Sequence, residues 1–166
     1  ALLLKNLLAQ ESQFWFGLSD DFTHFGPAQI TNYGLDPLFI WFPQFYKETC
    51  KEVFSDSTCN RSYTRLKESD RSMIRGYFLI TRIYAGCREC PAGTDMIKAY
   101  NSIDIIAKLV VANCYQVNQL IVDQADQRAG EVSNYEDLWR ITMGNYNAGS
   151  GCTRKAIIGV WDDYKF

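Results

Sequence analysis

Apolar residues recur at steps of three and four along most of the chain, which is the spacing of amphipathic helices. Leu3, Leu4, Leu7 and Leu8 predict a first helix that ends near Glu11. The same spacing predicts later helices after Pro43, from Tyr63 towards Gly86, from Met96 to Ile121, from Leu138 to Tyr146, and from Ala156 to Trp161. The pattern therefore predicts a mainly α fold, in one domain with long loops.

Local signals place the ends of these helices. Thr94 is the predicted N-cap of the long helix, and Ser133 with Glu136 fits a capping box. Gly149 and Gly151 are predicted to end the helix that follows the capping box. Between the first two helices the chain is rich in Gly, Asp, Asn and Pro, which predicts a loop with turns that could hold a small β-hairpin.

Composition and charge exclude several classes of protein. A chain of 166 residues with 47% hydrophobic and 14% aromatic residues can bury a core and is not disordered. The net charge of -2 gives no general affinity for nucleic acid or an anionic membrane. We expect no membrane insertion, since no apolar run approaches the roughly 20 residues of a spanning helix. The leading "ALLL" is too short for a signal-peptide core, so a mature fragment or an excised domain is expected.

The chain contains an even number of cysteines, which favours disulfide bonds and an oxidising compartment. They are Cys50, Cys59, Cys87, Cys90, Cys114 and Cys152. The pairing cannot be deduced from the sequence. A zinc site formed by the first four is the alternative, although their spacing is irregular and the sole histidine, His24, lies far from them in sequence.

Three short motifs, far apart along the chain, occur in a recognisable order. They are "ESQF" at Glu11–Phe14, "GPAQIT" at Gly26–Thr31 and "NYNAG" at Asn145–Gly149. This order resembles the soluble-lytic-transglycosylase-like catalytic domain of lytic transglycosylases and its relative, goose-type lysozyme. That family typically has Glu-Ser after a hydrophobic helix, then Gly-Leu-Met-Gln, then Ala-Tyr-Asn-Ala-Gly. The resemblance covers residues 1–34 and 135–158, and it implies one lysozyme-like catalytic domain over residues 1–166.

The chain departs from the family pattern at several positions. Pro27 and Ala28 stand where Leu and Met are usual, and Ala28 would leave less bulk at the floor of a substrate groove. Asn145 stands where Ala is usual. The helix segment "SMIRGYFL" has Ser72 in place of the family's Asn. The cysteine-bearing stretch around residues 40–93 is unlike the simple family domain and is interpreted as an insertion.

The resemblance implies cleavage of the β-1,4 bond between N-acetylmuramic acid and N-acetylglucosamine in peptidoglycan, with Glu11 as the catalytic acid. The residues around Glu11 agree with this role independently. Glycoside cleavage needs a carboxylic acid whose raised pKa keeps it protonated. A helix C-terminus and apolar neighbours such as Phe14 and Trp15 both disfavour the carboxylate form. The alternative is an ordinary solvated glutamate at a helix end.

Other site residues follow from the resemblance, residue by residue. Tyr146 would hydrogen-bond the catalytic glutamate and limit its solvation. Ser12 would assist at the substrate or at the local backbone. Gln29 would bind an N-acetyl or hydroxyl group of the sugar, or else stabilise its own loop. Asn147 would hold the site loop.

The number of carboxylates separates two enzyme mechanisms. Lytic transglycosylases resemble one another in using one glutamate as acid and then base, so that the 6-hydroxyl of the sugar forms a 1,6-anhydro product. A hydrolytic lysozyme would use a second carboxylate to activate water, and Asp20 or Asp21 is the candidate. Both aspartates can equally be turn residues. Transglycosylase is therefore the first prediction and hydrolase the alternative.

Two non-enzymatic classes remain open beside these: a glycan-binding module on the same fold, and a disulfide-stabilised partner-binding or inhibitor domain. Trp15, Trp41 and Trp139 could stack on sugar rings or pack in the core. The resemblance implies peptidoglycan glycan strands as the partner, without nucleic acid, cofactor or metal. A monomer in an extracytoplasmic location (secreted, periplasmic or at the cell envelope) is expected.

Overall fold

The structure, a computed structural model, describes the backbone of residues 2–163 and the side chains of residues 2–160. Over that range the chain is mainly helical, which confirms the predicted fold class; the lysozyme-like identity stays a prediction. The α-helices are α1 (Leu2–Ser12), α2 (Asp36–Trp41), α3 (Pro43–Val53), α4 (Asp56–Cys59), α5 (Glu68–Phe78), α6 (Met96–Ala125), α7 (Ala129–Val132) and α8 (Tyr135–Asp163). Shorter elements are the 3-10 turns Tyr33–Leu35, Tyr63–Arg65 and Pro91–Gly93 and the π-helical segment Leu79–Ile83.

Helix boundaries near Pro43 and Tyr63 differ from the prediction. A further helix, α2, precedes Pro43, and the two helices are separated at Phe42 (φ −125°, ψ 71°). The proline ring disfavours helical φ/ψ in the residue before it, which explains this break. The helix predicted from Tyr63 begins only at Glu68, because Leu66 and the residue after it are extended.

Both predicted N-caps lie one residue too early. Asn134, rather than Ser133, caps α8, and its Oδ1 accepts the backbone N–H of Asp137 at 2.9 Å. Asp95, rather than Thr94, caps α6, and its Oδ1 accepts a backbone N–H at 3.0 Å. Asn and Asp are at least as favourable at N-caps as Ser and Thr, so Asn134 and Asp95 can cap these helices in their place.

A glycine breaks α8 and isolated bridges replace the predicted hairpin. The backbone of α8 is non-helical at Gly149 (φ 78°, ψ 161°), as predicted, whereas Gly151 continues the helix. The loop after α1 contains only the isolated bridges Leu18–Phe25 and Phe25–Ile30, and no strand is present among the described residues. Two isolated bridges therefore stand in place of the predicted small hairpin.

Two disulfides cross-link the region that was interpreted as an insertion. Cys50 pairs with Cys59, and Cys87 pairs with Cys90. The four cysteines of the alternative zinc site thus form disulfides instead. Cys114 and Cys152 are free thiols on separate helices, so four of the six cysteines form disulfides.

The chain divides into two compact units, Ala1–Lys108 and Leu109–Phe166, and each has its own core. In the first, the Phe39 ring lies 5.2 Å from that of Phe78 and 5.3 Å from that of Tyr63. The core of the second unit is apolar and comprises Val117, Ile121 and Ala129 packed with Leu138, Ile141 and Ile157. The single-domain organisation stays a prediction.

One buried cation connects several segments of the first unit. Arg75 of α5 is fully buried. Its guanidinium contacts Asn32, Asp36, Tyr63, Glu68 and the ring of Tyr33. A buried guanidinium is tolerated only when its donors are paired, so this cluster explains how an arginine occupies the core.

Helix α6 is long and apolar enough to span a membrane, judged by length and composition alone. Its most apolar 18-residue window has a mean hydropathy of 1.4, and 44% of that window is buried inside the protein. The expectation that no segment approaches this length was therefore too strict. A core helix of a soluble protein meets the same criterion, so the absence of membrane insertion stays a prediction.

Candidate functional site

Glu11 lies in the last turn of α1 and is half-buried. Leu7 and Leu8, one turn earlier, are buried and anchor this end of the helix. Burial raises the pKa of the Glu11 carboxyl, and the positive charge of His24 opposes that shift. A partly desolvated carboxyl thus lies at the C-terminal end of α1, and its catalytic role stays a prediction.

The backbone after Glu11 is strained. Gln13 and Phe14 have φ values of 53° and 67°, in the left-handed region that non-glycine residues rarely adopt. Phe22 (57°) and Gln29 (49°) have the same conformation, so four of the six non-glycine residues with positive φ in the described chain lie between positions 13 and 29. Such strain persists only where the surrounding structure over-determines the backbone, and it clusters at functional sites.

Ser12 joins the first motif to the second. Its Oγ donates a hydrogen bond to the Pro27 carbonyl at 2.7 Å. The backbone of the same loop returns towards α1, where the Gly26 N–H donates to the Gly17 carbonyl at 2.9 Å. This bond is the backbone contact that was one of the two predicted roles of Ser12, and its role at the substrate stays a prediction.

Gln29 hydrogen-bonds within its own loop, and its predicted role in binding a sugar stays a prediction. Its Nε2 donates to the Gly26 carbonyl at 3.0 Å, which is the loop-stabilising alternative. Pro27 and Ala28 are buried, so the expectation that Ala28 shapes the floor of a groove is wrong. Gly26 has φ 66°, and a Cβ there would lie 2.8 Å from Ile83, so both backbone and space require glycine.

The two aspartates that could activate water are both exposed. Asp21 accepts hydrogen bonds from Ser19 Oγ at 2.5 Å and from the backbone N–H of Thr23 at 3.2 Å. These bonds lower the pKa of Asp21 to about 2. Asp21 thus has the geometry of a turn residue, and Asp20 lies beside it on the surface.

The third motif lies in the second unit, on α8. Tyr146 is half-buried and Asn147 is exposed. Asn145, which replaces the family's Ala, is buried, and its Nδ2 donates to Asn113 Oδ1 and Gln116 Oε1, both at 2.8 Å. The departure at Asn145 therefore joins α8 to α6 by amide hydrogen bonds. The relation of Tyr146 and Asn147 to Glu11 stays a prediction.

Sequence reasoning missed two features of this region. The first is His24, whose positive charge opposes the raised pKa of Glu11 although none of the three motifs contains it. The second is Arg75, whose charge at an apolar helical position between Ile74 and Phe78 was the available signal. Among the described residues no group of three or more His, Cys, Asp or Glu side chains could hold a metal ion.

Replacing Ser12 with alanine should lower the free energy of unfolding by about 1 kcal/mol, because the Pro27 carbonyl loses its hydrogen bond at the end of α1. Urea denaturation of the purified variant measures this. Ser72→Ala, at an exposed position of α5, is the matched control and should change stability by less than about 0.5 kcal/mol. Equal stability of Ser12→Ala and the wild type would show that this bond contributes nothing.

Comparison with known proteins finds no match for this chain, whether among protein-family models, curated proteins or solved structures.

Proposed function

We propose that the protein is a peptidoglycan lytic transglycosylase in which Glu11 is the catalytic acid and then the base. The observation that carries the proposal is the state of Glu11. Its carboxyl is half-buried at the end of α1, and this burial raises its pKa. The next residue, Ser12, hydrogen-bonds to the second motif. A protonated carboxylic acid at neutral pH is the group that glycoside cleavage requires. The order of the three motifs supplies the substrate class.

The proposed reaction uses one carboxyl group throughout. The Glu11 proton passes to the oxygen at C4 of the leaving N-acetylglucosamine as the bond from C1 of N-acetylmuramic acid to that oxygen breaks. The Glu11 carboxylate then takes the proton of the 6-hydroxyl of the N-acetylmuramic acid, and that oxygen bonds to C1. The product carries a 1,6-anhydro ring, and Glu11 ends in its starting protonated form.

The state of Asp21 favours this reaction over hydrolysis. A carboxylate that activates water is most effective when its pKa lies near the working pH. Asp21, with a pKa of about 2 and hydrogen bonds to its own turn, is a weak base. Hydrolysis with Asp20 or Asp21 as the base is therefore the second candidate.

Product analysis tests the proposal. Purified peptidoglycan is digested with the protein, and the released muropeptides are separated and identified by mass spectrometry. Anhydro products, lighter by one water than products with a reducing end, are expected. Reducing ends would establish hydrolysis instead and direct attention to Asp20 and Asp21. Release of neither product by folded protein would contradict the enzyme class.

The pH profile of cleavage should depend on the charge of His24. Since the proton on Glu11 is needed, kcat/KM should fall as the pH rises through the raised pKa of Glu11. The charge of His24 opposes that raised pKa, so His24→Gln should move the high-pH limb to higher pH. Initial rates on soluble peptidoglycan strands measure the profile. A limb that moves to lower pH would show that another group controls it.

A further inference from the structure

An exposed tryptophan lies four residues after the candidate acid. Trp15 follows Glu11 by four residues, and its backbone N–H donates to the Ser12 carbonyl at 3.0 Å. Its side chain is 51% exposed, whereas Trp41 and Trp139 are half-buried. Of Trp15, Trp41 and Trp139, Trp15 is therefore the tryptophan most accessible to a ligand.

The indole of Trp15 packs against a glycine. A Cβ added to Gly17 would lie 2.1 Å from Cζ2 and 2.3 Å from Cε2 of Trp15, so the indole lies against the bare backbone of Gly17. The Gly17 carbonyl accepts the hydrogen bond from the Gly26 N–H that joins this segment to the second motif. The indole therefore packs against a segment that a backbone hydrogen bond joins to the second motif.

We propose that Trp15 is an aromatic platform on which an N-acetylhexosamine ring of the bound glycan stacks next to Glu11. The apolar C–H face of a pyranose ring matches the size and character of an indole face. An indole already seated on Gly17 loses little side-chain freedom when it binds, which favours affinity. This inference rests on the proposed function for its substrate class, and it assigns a binding residue that the motifs do not contain.

Binding is measured without cleavage, in the Glu11→Gln background, by calorimetric titration with the N-acetylglucosamine tetramer. Trp15→Ala should raise the Kd by about tenfold or more, and Trp15→Phe should restore part of the affinity. Tyr100→Ala removes an aromatic side chain from α6 that is more exposed than Trp15 and should leave the Kd unchanged. A Kd within twofold of the parent in Trp15→Ala would overturn the proposal.

Gly17→Ala tests separately whether binding depends on the packing of the indole against Gly17. Gly17 does not have a positive φ, so alanine suits the backbone, but the new Cβ displaces the indole. The Kd should rise, although Trp15 is still present. Gly130→Ala is the matched control, because a Cβ there meets nothing within 4 Å. Loss of affinity in both variants would show a general effect of alanine and count against the platform.

The outcomes separate this inference from the proposed function. Tetramer binding that depends on Trp15, in a protein that cleaves nothing, would support the platform and reject the enzyme. Cleavage of peptidoglycan by a protein whose Kd for the tetramer does not depend on Trp15 would support the enzyme and reject the platform. Absence of tetramer binding in the parent, together with self-association that Trp15→Ala abolishes, would overturn the platform and assign the indole to a contact between copies of the chain.

Discussion

Replacing Glu11 with glutamine should lower the rate of peptidoglycan cleavage by about 10²- to 10⁴-fold, the range expected when a general acid is removed. Glutamine has nearly the shape of glutamate but cannot deliver a proton to the leaving oxygen. It also cannot take the proton of the attacking 6-hydroxyl afterwards. Both proposed steps therefore fail in the same variant. Initial rates of muropeptide release, measured at equal enzyme concentration, give the loss.

The variant should remain folded, which makes the loss of activity interpretable. The folded-state pKa of Glu11 is raised, so the stability linked to its titration is present at low pH and is lost as the pH rises through that raised pKa. A neutral glutamine avoids this cost, and Glu11→Gln should be at least as stable as the wild type at neutral pH. Thermal unfolding followed by circular dichroism measures this.

The control for the loss of activity is Glu48→Gln. Glu48 is an exposed glutamate of α3, and the same chemical change there should leave both the rate and the stability unchanged. Cleavage by Glu11→Gln at the rate of the control would show that Glu11 is not the acid. In that case the raised pKa would be only a consequence of where α1 ends.

Replacing Arg75 with methionine should lower the free energy of unfolding by about 2–3 kcal/mol, near the lower end of the effect of breaking a buried ion pair. Arg75 Nε donates to Asn32 Oδ1 at 2.6 Å, and Nη1 donates to Asp36 Oδ1 at 2.7 Å and to the Tyr63 hydroxyl at 3.1 Å. A second ion pair joins Nη2 to Glu68. Methionine fills much of the space but pairs with none of these groups.

Solvent access to the two carboxylates limits the expected loss. The side chain of Asp36 is 28% exposed and that of Glu68 is 45% exposed, so water partly solvates both after the substitution. The destabilisation corresponds to a fall in Tm of roughly 5–10 °C for a chain of this size. Thermal unfolding and urea denaturation of the same preparation measure the effect.

Acid should reduce the difference between the Arg75 variant and the wild type. The hydrogen bond from Arg75 holds the pKa of Glu68 below its usual value. Because the folded-state pKa is lowered, this contribution to stability is present above the unfolded-state pKa and is lost as the pH falls through the lowered value. The two unfolding curves should therefore approach each other in acid.

Arg140→Met is the control for the arginine cluster. Arg140 pairs with Glu136 one turn away on α8, and both side chains are 72% exposed. Such a surface pair contributes less than about 0.5 kcal/mol, so Arg140→Met should barely change Tm. Equal losses in both variants would show that burial of Arg75 adds nothing and that the cluster is no more than a surface network.

Helix positions were predictable where the causes are local. The leucines of α1 set its apolar face, and Pro43 is well tolerated at the first position of α3. The break at Gly149 follows from a backbone conformation that favours glycine. The late start of α5 was not predicted, since Tyr63 lies in a separate 3-10 turn, where its ring packs against Phe39.

The chemistry of the candidate site divides in the same way. The sequence identified Glu11, Ser12 and Asp21 as candidate functional groups, because residue type and motif order are properties of the chain alone. It predicted a desolvated Glu11 from local neighbours, but it could not show how far each carboxylate is buried, since burial depends on the packing around each group. The tertiary structure half-buries Glu11 and leaves Asp21 on the surface.

Partners distant in sequence were likewise decided only by the fold. The Ser12 hydroxyl donates to the carbonyl of Pro27, fifteen positions away, and Arg75 pairs with Asp36, thirty-nine positions away. A local pattern cannot specify such pairs, because each requires separate helices and loops to meet in one packing arrangement. The sequence therefore determined the helices and the candidate groups, and the tertiary structure determined their hydrogen bonds, their burial and the pKa shifts that follow.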